Sequence, residues 1–315
     1  MPHILALIFT NGLHSFLADL FYFTTINFFG GVVLKILIVR YIINSKINRN
    51  FFHQKSGNQM KIIIKIGTST LTHSSGCINI RRIEKLCKVI SDIKNAGNEV
   101  IMVSSGAIAM GRGKLNLKEA PRNVAEKQAF AAVGQCELMY AYDKIFSEYN
   151  QTVAQILLTA DDLRNPERHQ KFDDTMEQLL NWNVLPIINE NDTVSTTEIK
   201  IGDNDTLAAI VAESTNADLL VLMSDIDGLF DSDPRQNPHA NFIEHVDEWS
   251  DDLMELGGNA GSERGTGGMF TKLKAAKIAT ESGCDMIIMN GAFPENLYNI
   301  IDGKPIGTRF FAKKG

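Results

Sequence analysis

From position 61 onward, short apolar runs rich in β-branched residues alternate with longer stretches whose apolar residues recur at helical spacing. Residues 61–67 (KIIIKIG), 99–103 (EVIMV), 152–158 (TVAQILL), 184–188 (VLPII), 218–223 and 286–289 read as strands. Between the first two, Ile80, Ile83, Leu86, Cys87, Ile90 and Ile93 share one face of a helix over 80–96, and Gly97 ends it. Further helices are predicted over 123–149, loosely broken around Gly134, over 172–182, and over 268–282. Another begins at Thr206, where Leu207, Ile210 and Val211 share a face and Asp205 occupies the N-cap position. Such alternation predicts an α/β domain, a mostly parallel sheet with helices on both faces. No internal repeat or low-complexity linker interrupts it.

Polar residues concentrate where strands end. The excursion 189–205 (NENDTVSTTEIKIGDND) holds the carboxylates Glu190, Asp192, Glu198, Asp203 and Asp205, three asparagines and a single lysine, Lys200. Open α/β sheets bind ligands at the carboxyl ends of strands, and so acidic a loop suits a ligand carrying an ammonium group. Three glycine-containing strand exits, GTST (67–70), SSGA (104–107) and GTGGMFTK (265–272), are candidate phosphate sites, because backbone N–H groups at such turns hold anions. None is a Walker A loop, and no G-x-G-x-x-G follows a strand. Lys65 has an apolar neighbour on each side near the end of the first strand, a poor place for a purely structural lysine. Lys272 falls in the first turn of a helix, where a cation opposes the dipole unless it holds an anion.

Composition narrows the picture. The 315 residues are 44% hydrophobic and 22% charged, enough for one large or two small domains. A net charge of −6 argues against a general nucleic-acid binder. Cys77, Cys87, Cys136 and Cys284 form no CxxC pair and read as small core residues of a reducing, cytoplasmic compartment. Residues 1–59 depart from the rest. The stretch 20–34 is uncharged, yet Asn27, Gly30, Gly31 and then Lys35 interrupt the apolar pattern, and no cleavage site follows. The reading favoured here is a misassigned start, with the working protein beginning at Met60; a weak membrane segment is the alternative.

Two lysines, anion-binding turns and a carboxylate cluster are the parts phosphoryl transfer needs, since that chemistry asks mainly for positioning and charge neutralisation. At KIGTS (65–69), SSGAIAMG (104–111), INEND (188–192), EIKIGDND (198–205), SDIDGLFDSDPR (224–235) and GTGGMFTK, the chain resembles the amino acid kinase family. Within it, the single Gly67 followed by Thr68 and Ser69 resembles the branch acting on the γ-carboxylate of L-glutamate. The resemblance covers nearly everything from Met60 on.

It implies a three-layer αβα sandwich around an open, mainly parallel sheet, and ATP-dependent formation of γ-glutamyl phosphate, the first intermediate toward proline. By the same resemblance Lys65 and Lys272 stabilise the transferring phosphoryl group and Asp205 orients them. Ser105, Asn189, Asp192, Asp203 and Asn204 hold glutamate. Lys65, Ser224, Asp225, Thr266, Gly267, Gly268, Met269, Phe270, Thr271 and Lys272 contact ATP. Mg²⁺ is held chiefly by phosphates and water, with no protein ligand assigned. Proline as feedback inhibitor, a homo-oligomer (dimer or tetramer) and a functional link to γ-glutamyl phosphate reductase are also implied. Ser224 stands where threonine is common in the family. The chain stops soon after GTRFF, so the PUA domain carried by many members is not expected. Two other readings stay open: a family member with a different acceptor, and a nucleotide-binding regulatory protein that has lost catalysis.

Overall fold

The computed structural model describes residues 59–195, 203–250, 252–257 and 268–313. The proposed extension, apart from Gln59, lies outside them, as do Glu198, Lys200, Thr266 and Gly267. Six strands form the heart of the sheet: β1 (Lys61–Ile66), β2 (Glu99–Ser104), β3 (Val153–Leu158), β4 (Leu185–Glu190), β5 (Leu219–Ser224) and β9 (Asp285–Asn290). These are the six strands the hydrophobic pattern predicts, each within two residues at either end. They pair in parallel, and β10 (Thr308–Phe310) is added antiparallel to β9. The short β6 (Leu229–Phe230) and β7 (Phe242–Ile243) form a separate ribbon, and β8 (His245–Val246) closes the main sheet. The eight-stranded order is β3-β4-β2-β1-β5-β9-β10-β8. On one side of β1 the chain lays down β2, then the edge strand β3, then β4 between them, and it crosses to β5 on the other side. The crevice at that reversal opens beside the carboxyl end of β1.

Period-two alternation along β1 divides the core. Ile62, Ile64 and Ile66 face α2 (Ile80–Asn95), α4 (Val124–Ser147) and α10 (Asn296–Ile301), packing with Leu86, Ile90, Leu138, Tyr142 and Leu297. Ile63 faces the opposite layer, formed by α6 (Pro166–Asn181), α7 (Asn204–Ser214) and α9 (Met269–Glu281), with Phe172, Met176, Leu207, Val211 and Leu273. Lys65 shares Ile63's side of the strand. It therefore emerges under α7 and α9 at the end of β1, and strand parity alone assigns it there.

Several expectations change. The helix over 123–149 is continuous through Gly134. Gly134 is there for contact: a Cβ on it would lie 1.7 Å from the carbonyl oxygen of Ala107, in α3 (Ala107–Lys114). A Cβ on Gly111 would likewise lie 1.9 Å from the carbonyl oxygen of Phe130, so α3 and α4 touch backbone to backbone. The helix expected from 172 begins earlier, at Pro166, with Asn165 as its N-cap; its first turn carries no apolar face for a periodicity argument to find. The cap of α7 is Asp203, whose side chain accepts from Thr206 N–H, and not Asp205. GTST is one helical turn, α1 (Thr68–Leu71), and α5 (Ala160–Arg164) and α8 (Asp252–Leu256) complete the helices among the described residues. Cys87 and Cys284 are buried as expected of small core residues, whereas Cys77 and Cys136 are exposed. No helix among the described residues is long and apolar enough to cross a membrane.

Candidate active site

An open cleft of about 1720 Å³ runs along the carboxyl ends of β1, β2, β4 and β5. Its centre is an ion triad. Asp205, in the first turn of α7, has no exposed surface, and its Oδ1 lies 2.5 Å from Lys65 Nζ on β1. Oδ2 lies 3.0 Å from Lys272 Nζ on α9 and accepts at 3.1 Å from the Thr271 hydroxyl. Three elements distant in sequence thus fix two ammonium groups beside one carboxylate. Burial opposes ionisation of Asp205, but the adjacent Lys65 and Lys272 charges outweigh it and hold its pKa below the ordinary carboxylate value. With one carboxylate between two lysines, the group carries net positive charge at the floor of a cleft, which suits a phosphoryl group.

A chain of amides lies beside it. Asn204 Nδ2 faces Ser105 Oγ at 2.8 Å, Asn189 Oδ1 at 3.0 Å and the Ser104 carbonyl at 3.2 Å. Asn189, at the end of β4, is buried, and its Nδ2 donates to Gln135 Oε1 at 2.9 Å. Ser105 and Gly106 lead into α3; the left-handed φ of +102° at Gly106 turns the chain, and no side chain caps the helix. Its first N–H groups therefore remain available at the cleft wall. Asp192, Asp203 and Glu190 line the same wall, and Ser195 Oγ donates to Glu190 Oε1 at 2.8 Å. Burial raises the pKa of Asp203, reinforced by the neighbouring Asp205 charge and only partly offset by its cap hydrogen bond.

The opposite wall carries Ser224 and Asp225 at the end of β5, together with Phe230, Pro234, Gly268 and Met269. Arg235 pairs with Asp225 at 2.8 Å. Burial opposes the Asp225 charge, but Arg235 and nearby donors hold its pKa below the usual range.

Of the predicted residues that are described, the cleft gathers Lys65, Ser105, Asn189, Asp192, Asp203, Asn204, Asp205, Ser224, Asp225, Gly268, Met269 and Lys272. Phe270 and Thr271 do not line it: Thr271 turns to Asp205 and the Gly268 carbonyl, and the Phe270 backbone packs against Gly257. The sequence reading missed Arg112, Lys127, Arg235 and Gln135. Arg112 and Arg235 lie in or next to the quoted motifs and could have been found; Gln135 is one polar residue in a long helix and gives no local signal.

A model of the amino acid kinase family matches residues 60–290. The chain belongs to the amino acid kinase family. It is 53% identical over 259 residues to a glutamate 5-kinase of Clostridium perfringens, covering 81% of this chain and 96% of that protein. It is 52% identical over 255 residues to a glutamate 5-kinase of Caldanaerobacter subterraneus, covering 81% of this chain and 68% of that one. Solved structures share the fold at low identity. An isopentenyl phosphate kinase of T. acidophilum superposes with a TM-score of 0.56 at 20% identity, over 79% of this chain and 99% of that chain. A carbamate kinase of Giardia lamblia bound to AMP-PNP gives 0.56 at 18%, over 81% and 99%. The family fold and the chain's own strand order agree on an α/β sandwich with a mostly parallel central sheet.

Proposed function

We propose that this family member transfers the γ-phosphoryl group of ATP to the γ-carboxylate of L-glutamate, giving γ-glutamyl phosphate and ADP. The observation that carries the reading is the Lys65–Asp205–Lys272 triad, buried beside a wall of Asn, Ser and Asp side chains. Relatives named glutamate 5-kinase at 53% and 52% identity support the acceptor.

A glutamate γ-carboxylate is already ionised at neutral pH, its ordinary pKa being about 4.3, so the nucleophile needs no general base. A carboxylate oxygen attacks the γ-phosphorus while the bond to the oxygen bridging the β- and γ-phosphorus breaks, and ADP leaves with that electron pair. Lys65 and Lys272 neutralise charge on the moving group, and Asp205 holds both ammonium groups in place before reaction begins. Ser105, Asn189, Asp192, Asp203 and Asn204 hold glutamate, the two aspartates meeting its ammonium. Ser224, Asp225 and residues 266–272 serve the nucleotide, Phe270 and Thr271 by shaping the helix start. Among the described residues no three His, Cys, Asp or Glu side chains cluster at metal-ligand spacing. Mg²⁺, when bound, would be held mainly by phosphates and water, and Asp225 is a cleft carboxylate on the nucleotide side that could meet it. The ion, when bound, supplies further neutralisation of phosphate charge.

The product is an acyl phosphate, which links the reaction to a γ-glutamyl phosphate reductase on the way to proline. Proline, sharing the α-ammonium and α-carboxylate of glutamate, competes at the same wall as a feedback inhibitor. The enzyme works in the cytoplasm as a homo-oligomer, with 60–315 as its kinase domain. An ADP-release assay of the full chain with glutamate, aspartate and acetylglutamate tests the reading. Release with glutamate well above the other two is expected; equal or greater release with another acceptor overturns the substrate, and none with any overturns the activity.

A further inference from the structure

Gln135 lies on α4, is 9% exposed, and does not line the cleft. It reaches the site because glycines 111 and 134 let α3 and α4 meet at backbone distance. Its Oε1 accepts from Asn189 Nδ2 at 2.9 Å. Asn189 Oδ1 in turn accepts from Glu190 N–H at 2.9 Å and from Asn204 Nδ2 at 3.0 Å. The direction of this chain is forced at two points. A backbone N–H can only donate, which fixes Asn189, and the Ser104 carbonyl can only accept, which fixes Asn204.

Two consequences follow at the cleft wall, which Asn204 and Ser105 both line. Asn204 Oδ1 is left buried and without a hydrogen-bond partner among the described residues. The Ser105 hydroxyl accepts from Asn204 and donates to no acceptor among the described residues, which leaves its proton for a ligand. An unpaired acceptor beside a free O–H donor is complementary to an ammonium group beside a carboxylate. Gln135 accepts from the other end of the Asn189 amide, the Nδ2, and so holds the amide whose Oδ1 receives Asn204.

We propose that Gln135 is a positioning residue for the acceptor amino acid, acting through Asn189 and Asn204 to set the donor–acceptor polarity of the binding wall. This rests on the reading of L-glutamate as acceptor. Gln135→Met keeps length and bulk and removes the acceptor oxygen. In the full chain it is expected to raise the KM for glutamate about tenfold, with kcat within about threefold and the KM for ATP within about twofold; tenfold corresponds to ~1.4 kcal/mol. Gln135→Glu keeps an Oε acceptor and is expected to hold the glutamate KM within about threefold of wild type.

In an Asn204→Ala background, Gln135→Met should add little further to the glutamate KM, since coupled residues are non-additive. An unchanged glutamate KM in Gln135→Met, a parallel rise in the KM for ATP, or full additivity with Asn204→Ala each overturns the proposal. If Gln135→Met does not fold, Gln135→Glu decides it, a tenfold rise there being equally fatal. The wild-type chain is assayed first: no turnover of glutamate sinks the functional reading and this one together, whereas turnover with an indifferent Gln135 sinks this one alone.

Discussion

Asp203 and Asp205 stand two positions apart at the start of one helix and do opposite work. Asp203 caps α7 and its pKa is raised by burial; Asp205 is held ionised between two lysines. Asp205→Asn preserves the shape and removes the charge that orders Lys65 and Lys272. A loss of about 100- to 1,000-fold in kcat is expected, the usual cost of one preorganised electrostatic contact. Steady-state kinetics checks it, and a folded variant with near wild-type kcat would remove Asp205 from the catalytic assignment. Asp203→Ala, by contrast, should lower the melting temperature by about 2–4 °C through loss of roughly 1 kcal/mol of capping. Because the Asp203 pKa is raised, its negative charge fades as pH falls through a value above the ordinary ~3.9. A bound ammonium favours the ionised form, so glutamate binding should weaken as pH falls through that raised value, while Asp203→Asn, which still caps, should flatten the dependence. A pH profile of the glutamate KM that is identical in both proteins would count against Asp203 facing the ammonium. Sequence showed both aspartates as candidates but exchanged the capping role, because spacing alone cannot say which carboxylate turns back on its helix and which turns inward.

Elements deliver these residues to one place for reasons partly visible in the chain. The six main strands and the side of β1 on which Lys65 emerges follow from apolar runs and period-two alternation. What periodicity could not show is long-range contact. Gly134 reads as a helix weakness in sequence, yet it is where α4 meets the Ala107 carbonyl. Gln135 likewise acquires meaning only once β4 is placed beside α4. Gly134→Ala would put a methyl group 1.7 Å from that carbonyl oxygen, and neither partner is a flexible side-chain end. Helix propensity favours alanine by about 1 kcal/mol. The clash should win, since overpacking costs typically 1–3 kcal/mol or more and here requires backbone displacement. Gly134→Ala is therefore expected to lower the melting temperature and, by shifting α3, to raise the glutamate KM. A melting temperature at or above wild type would show that the helices can separate at no cost.

At the scale of the whole molecule, the question is which part of the chain is sufficient. β1 begins at Lys61 and is central in the sheet, with β2 on one side and β5 on the other; the family match starts at residue 60. Residues 59–315 also form a compact unit by their internal contacts. The ion triad, the amide chain and the described nucleotide wall all fall inside it. A protein consisting of residues 60–315 is therefore expected to fold by itself and keep kcat/KM for glutamate within about twofold of the full chain. Thermal unfolding and the ADP-release assay, run side by side on the two proteins, measure this. An aggregated or inactive shorter protein, against an active full chain, would make residues 1–59 part of the working enzyme and end the case for a start at Met60.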